Sequence, residues 1–150
     1  PGTKFLHEGH FTRGRGLFMA VSYRKPAETT DESYPLVLTT GRILYQYHTR
    51  TMTGRVDGLN QKAPESYIEI NPHTAKNYAI VDGETIRVSS RRGSILTKAK
   101  VVDIVDEGVV FMPFHYAEGA ANVLTNSALD KQAKIPELKV CAVKIEKIII

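Results

Sequence analysis

The chain has 150 residues, enough for one domain with a sizeable core and cramped for two. Its 20 basic and 16 acidic residues leave a net charge of +4, a mild excess that is not by itself a nucleic-acid signature. The apolar runs are strand-sized, short of the ~20 residues of a membrane span, and a lone Cys141 excludes an internal disulfide and suits a reducing compartment.

The chain opens at Pro1 without methionine or a basic, apolar leader, so it is expected to be a processed product or a piece cut from a longer polypeptide. A cytoplasmic location is the expectation, with any targeting signal of a parent lying upstream. Residues 1–33 are dominated by glycine, arginine, histidine and threonine, and Pro26-Ala-Glu-Thr-Thr-Asp-Glu-Ser33 reads as a polar linker. This arm is expected to wrap a surface or stay loosely ordered, with the compact domain spanning 34–150. Within it, His7 and His10 are three apart with Gly9 between, whereas a helical zinc motif needs four. They are read as arm chemistry.

Pro35-Leu-Val-Leu-Thr39 is a short apolar run that reads as a buried strand. It leads into Thr40-Gly-Arg-Ile-Leu-Tyr-Gln-Tyr-His-Thr49. Gly41 lets another group approach closely. Arg42 supplies a planar, permanently charged fork. His48, Thr49, Arg50, Thr51 and Thr53 add donors, and from Gly41 to Lys62 four basic residues face one acidic residue, Asp57. Backbone amides, hydroxyls and cations after a strand suit an anion-binding loop. The same composition also suits a solvated polar loop.

Tyr67-Ile-Glu-Ile70 alternates as a half-buried strand does. Asn71 can cap a helix whose first turn accommodates Pro72, and that helix would place Ala75, Tyr78 and Ala79 toward the core. Asp82-Gly83 is a turn. Glu84–Ser90 alternates with Ile86 and Val88 inward, Arg91-Arg-Gly-Ser94 reads as a hairpin turn, and Ile95–Val102 as its return strand. Gly108–Met112 is an apolar strand stopped by Pro113. It delivers Phe114, His115 and Tyr116 into a loop rich in glycine and alanine. There Asn122 can read a polar heterocycle, fix the loop, or simply cap residues 123–128. Lys139 is either an edge lysine or a phosphate contact. Val140–Ile145 is the last strand, with Cys141 a small buried hydrophobe, and Ile148–Ile150 a tail that frays or packs. Many short strands, few short helices and glycine-rich turns point to a mainly β, closed or nearly closed barrel.

Three stretches, Tyr34–Arg42, Tyr47–Arg55 and Glu69–Lys76, carry a family resemblance. So do Asp82–Glu84, Val88–Gly93, Phe111–Phe114, Asn122–Thr125 and Pro136–Val143 further on. In this order and spacing they resemble the C-terminal dinucleotide-binding domain of the molybdopterin oxidoreductases, the dimethyl sulfoxide reductase superfamily. Within it the chain is most similar to the large subunit of formate dehydrogenases, with periplasmic-type nitrate reductases close behind. The resemblance implies a six-stranded double-psi β-barrel with an extended N-terminal arm. It implies a bis(molybdopterin guanine dinucleotide) cofactor carrying molybdenum or tungsten. Its cofactor positions fall on Thr40, Gly41, Arg42, His48 and Thr49, with Asn122 and Lys139 as two more. Phe114 matches a position near the substrate channel, where His115 replaces an aromatic.

By the same resemblance the catalytic residues, the metal-ligating cysteine or selenocysteine and the iron–sulfur cysteines lie in earlier domains. The fragment alone is expected to be redox-inactive. Its partners would be the rest of its own catalytic subunit and the electron-transfer subunits of the parent, without nucleic acid and without direct membrane insertion. Two other classes compete. One is a barrel that binds single-stranded nucleic acid by stacking on Tyr45, Tyr47, Phe114 and Tyr116. The other is a decarboxylase that cleaves itself between Gly93 and Ser94.

Overall fold

A computed structural model describes residues 2–148; the end of the Ile148–Ile150 tail, residues 149–150, lies outside the described residues. Six strands close into a barrel: β1 (Leu36–Gly41), β2 (Tyr67–Ile70), β3 (Thr85–Ser89), β4 (Ser94–Val101), β5 (Val109–Pro113) and β6 (Cys141–Lys147). Around the barrel their order is β1-β5-β2-β4-β3-β6, closing back on β1. The connection from β1 to β2 steps over β5, and the connection from β4 to β5 steps over β2. β1 runs parallel to β5 and β2 parallel to β4; the β1–β2 crossover is long, residues 42–66, whereas the β4–β5 crossover takes only residues 102–108. Two interlocked crossovers of this kind are the double-psi arrangement.

Alternation sets which face of each strand is buried. In β1, Leu36, Leu38 and Thr40 are buried while Val37 and Thr39 are half-buried. In β3, Ile86 and Val88 point inward as their spacing predicts. With Ile68, Ile70, Val110, Met112, Val143 and Ile145 they form one core, each fully buried side chain contributing about 1.5–3 kcal/mol. Closure leaves no strand edge, so Lys139 has no edge to guard.

At one end of the barrel, α2 (Pro72–Asn77) is capped as its sequence indicates. The Asn71 side chain accepts a hydrogen bond from the His73 amide, and Pro72 occupies the first turn. Ala75 packs in the core and Tyr78 against it, but Ala79 is exposed. The helix has stopped by then, and Ala79 takes φ +53°, which swings its methyl outward and brings Ile80 into the core instead. A second short helix, α1 (Asp57–Lys62), buries none of its side chains. It therefore has no apolar period. Its charges do suit its dipole, with Asp57 in the first turn and Lys62 in the last.

Residues 2–25 are exposed throughout. The arm is pinned beyond them, at Glu28. Both carboxylate oxygens of Glu28 meet the Arg92 guanidinium at 2.8 Å. Oε2 also accepts from the Ala142 amide at 3.1 Å, and Oε1 from Arg91. Arg91 reaches Asp31 as well and lies over the Tyr34 ring, 4.8 Å from its centroid. No helix of the described residues is long and apolar enough to cross a membrane.

Candidate functional site

The strand register gathers the sequence-predicted positions at the barrel end opposite α2. Gly41 pairs with Pro113, so β1 and β5 finish side by side, and the Phe114 amide donates to the Gly41 carbonyl at 3.2 Å. β6 starts there too, because Leu38 faces Cys141 in the antiparallel ladder. The β3–β4 turn completes this end, with Ser89 opposite both Ser94 and Lys144.

Gly41 is needed for close approach rather than for its backbone angles. A Cβ there would lie 2.6 Å from the Phe111 ring. Thr40 is buried and donates its hydroxyl to the Leu138 carbonyl at 2.7 Å, while the Lys139 ammonium donates to the Thr40 carbonyl. Lys139 is thereby held beside the end of β1 with two further N–H donors to offer. Arg42 is exposed and lies over the Phe114 ring, 5.4 Å from its centroid. Among the described residues it pairs with no carboxylate.

The loop beyond Arg42 is built on inward-facing posts. Gln46 is buried; it donates to the Ala63 carbonyl at 2.9 Å and accepts from Thr53 Oγ1 at 2.7 Å. The same Thr53 oxygen accepts from the Tyr47 amide. His115 is the other post. Its Nε2 accepts from the Ile43 amide at 3.0 Å and its Nδ1 lies 2.5 Å from the His48 carbonyl oxygen. With these posts in place His48 takes φ +44° and Arg50 φ +63°, sparsely populated backbone of a kind that gathers at ligand-binding sites. The rings of Tyr47 and His48 meet edge-on, their centroids 4.3 Å apart, and both side chains are exposed. Thr49 is exposed as well, sharing a 2.9 Å hydrogen bond with Thr51. Arg50 turns back: its guanidinium bonds Asn60 at 2.9 Å and covers the Tyr116 ring at 4.7 Å, leaving its buried Nε without a partner.

Asn122 lies in a single helical turn, Ala121–Val123, whose Ala121 and neighbouring Leu124 plug the same barrel end. The chain does not continue as a helix through 123–128, so the capping reading of Asn122 fails. Asn122 is exposed, and its side chain makes no hydrogen bond among the described residues. The next residue, Val123, abuts Gly93 of the β3–β4 turn, and β4 lies three strands round the barrel from β1, which puts this turn across the mouth from the β1 end. The structure thus brings Gly41, Arg42, His48, Phe114 and Lys139 into one neighbourhood and sets Asn122 on the opposite rim.

The rival readings meet obstacles here. Tyr116 cannot serve as a stacking platform, being 3% exposed with its hydroxyl bound to the Ala63 carbonyl and Arg50 on its face. Gly93 is a hairpin corner: its carbonyl accepts from the Ser90 amide, and a Cβ would strike Val123 at 2.8 Å. Burial pushes the Cys141 thiol up to about 11, which keeps it protonated and unreactive. Sequence reasoning passed over Gln46 and undervalued His115. A polar residue flanked by tyrosines and a histidine directly after a strand-ending Pro-Phe were the available signals.

Residues 36–142 match the family described as Molydopterin dinucleotide binding domain. The chain is 54% identical over 149 residues to the F420-dependent formate dehydrogenase subunit alpha of Methanocaldococcus jannaschii, covering 98% of this chain and 22% of that protein. It is 50% identical over 150 residues to the F420-dependent formate dehydrogenase 2 subunit alpha of Methanococcus maripaludis, covering 99% and 22%. A protein named nitrate reductase from Symbiobacterium thermophilum is 41% identical over 138 residues, covering 89% and 18%. The chain therefore spans about a fifth of the length of these relatives. Among solved structures, acetylene hydratase from Pelobacter acetylenicus shares the fold with a TM-score of 0.72 at 18% identity, over 85% of this chain and 21% of that one.

Proposed function

The chain belongs to the molydopterin dinucleotide binding domain family, and from that premise we propose that the loop leaving β1 grips the dinucleotide of a pterin cofactor inside a larger oxidoreductase subunit. The observation that carries this reading is Arg42, a cation stacked on Phe114 and opposed by no carboxylate among the described residues. A pyrophosphate needs fixed donors and positive charge, preferably from a planar fork and from backbone amides. Arg42 supplies the fork, Lys139 a point charge, and Thr49 and the His48 ring further donors. Thr40 contributes by holding Lys139 through its carbonyl, its hydroxyl being bound to Leu138. Asn122, on the opposite rim, offers an unengaged amide that both donates and accepts, suited to a guanine or pterin edge. When bound, the cofactor supplies the redox chemistry through molybdenum or tungsten; this domain binds, orients and shields it.

Formate is the substrate we assign to the parent subunit, supported by the two relatives named formate dehydrogenase subunit alpha at 54% and 50% identity. Nitrate is the second reading, supported by the 41% relative. Catalytic residues, any iron–sulfur cluster and the contacts to electron-transfer partners belong to the remainder of that subunit. The test is to purify the intact parent subunit and assay it with formate and with nitrate. Formate-dependent dye reduction is the expected result, and nitrate reduction without formate oxidation would reverse the assignment. The isolated 150-residue chain should oxidise no formate.

A further inference from the structure

We infer that His115 is the positioning residue of this site: a neutral, buried imidazole that latches both ends of the loop and so aims Arg42 and His48 at the ligand. The inference rests on the cofactor reading above and adds to it the part that shapes the loop. His115 is 1% exposed, yet both its ring nitrogens are engaged. The Ile43 N–H can only donate, so Nε2 must be the bare nitrogen and Nδ1 must carry the proton given to the His48 carbonyl. Only this one tautomer satisfies both bonds.

The two anchored groups adjoin the residues proposed to meet the ligand. Ile43 directly follows Arg42, and the second anchor is the backbone of His48 itself, where φ is +44°. Phe114, next to His115 in sequence, is the ring on which Arg42 lies. Residues 114 and 115 therefore fix the cation, the start of the loop and its far end together. Deleting the imidazole would leave a part-buried amide and a carbonyl without partners, a cost that the loop can relieve by opening to water. A glutamine amide presents one donor and one acceptor at about the spacing of the two ring nitrogens, so it can make both bonds where phenylalanine can make neither.

The test uses this chain and guanosine diphosphate as probe. Nitrogen NMR of the unaltered chain should show His115 protonated at Nδ1, and a proton on Nε2 would overturn the inference without any variant being made. In His115→Phe, amide exchange of residues 43–49 should accelerate at least about tenfold, while Leu38, Val110 and Val143 in the core keep their rates. Guanosine diphosphate should also bind the variant several-fold more weakly, and His115→Gln should restore both properties. Unchanged loop exchange in His115→Phe overturns the inference, as does a His115→Gln chain that behaves like His115→Phe. If the unaltered loop ignores the nucleotide while His115→Phe still loosens it, the latch stands and the cofactor reading falls.

Discussion

Arg91 and Arg92, at the β3–β4 turn, face carboxylates supplied by the arm, whereas Arg42 and Arg50, across the same barrel end, face the rings of Phe114 and Tyr116. The residue type is the same and the outcome differs. Arg92 forms a fork with Glu28 and also donates to the Leu124 carbonyl through Nε and Nη2. Its charge is neutralised and serves to tie arm, turn and plug together. An aromatic face, by contrast, orients a guanidinium without cancelling its charge. Arg42 is thus held in place and still able to meet an anion. Arg91 and Arg92 are paired with carboxylates, whereas Arg42, stacked without one, is the arginine we propose meets the ligand.

The largest expected effect breaks the paired side. Arg92→Ala leaves Glu28, 10% exposed, without its fork and Leu124 without its donor, and should lower stability by about 3 kcal/mol in urea unfolding. Acidification should act on the same contact more gently. Burial raises the Glu28 carboxyl, but hydrogen bonds from Arg92, the Ala142 amide and Arg91 outweigh it and hold the group below the ordinary glutamate range. A depressed native value means the contribution is complete above the unfolded value, about 4.3, and drains away as pH falls through the native one. Protection of the Ala142 amide, corrected for the intrinsic slowing of exchange in acid, should therefore fall before that of the barrel core. Smallest of all, Arg42→Ala should change stability by less than ~0.5 kcal/mol, because nothing but a ring face loses its neighbour. A large loss there would erase the distinction between the two pairs.

The contrast was only half legible in the sequence. Period-two alternation revealed β2 and β3, the hairpin turn announced β4, and Asn71-Pro72 announced α2, because these signals are local. The interlocked crossovers are not local: nothing within β1 says that β5, some seventy residues on, lies against it. The same limit hid the partners of the arginines. Pro26–Ser33 looks like a linker because it is polar, yet Glu28 and Asp31 are the complements of a turn sixty residues away. Arg42 stood out after its strand, but that no carboxylate opposes it is a fact of packing. His115 was visible as a histidine, while its partners at Ile43 and His48 lie 72 and 67 residues earlier. α1 escaped notice since a helix that buries nothing leaves no apolar stripe.

The central claim is that the stacked, unpaired arginine and its loop form the nucleotide grip. Guanosine diphosphate titrated into three chains, unaltered, Arg42→Ala and Arg91→Ala, with amide shifts followed residue by residue, tests it most directly. The account predicts shifts concentrated in residues 40–49 and at Lys139 and Asn122, weakened about tenfold by Arg42→Ala and untouched by Arg91→Ala. Shifts centred on the β3–β4 turn, or binding indifferent to Arg42, would contradict it.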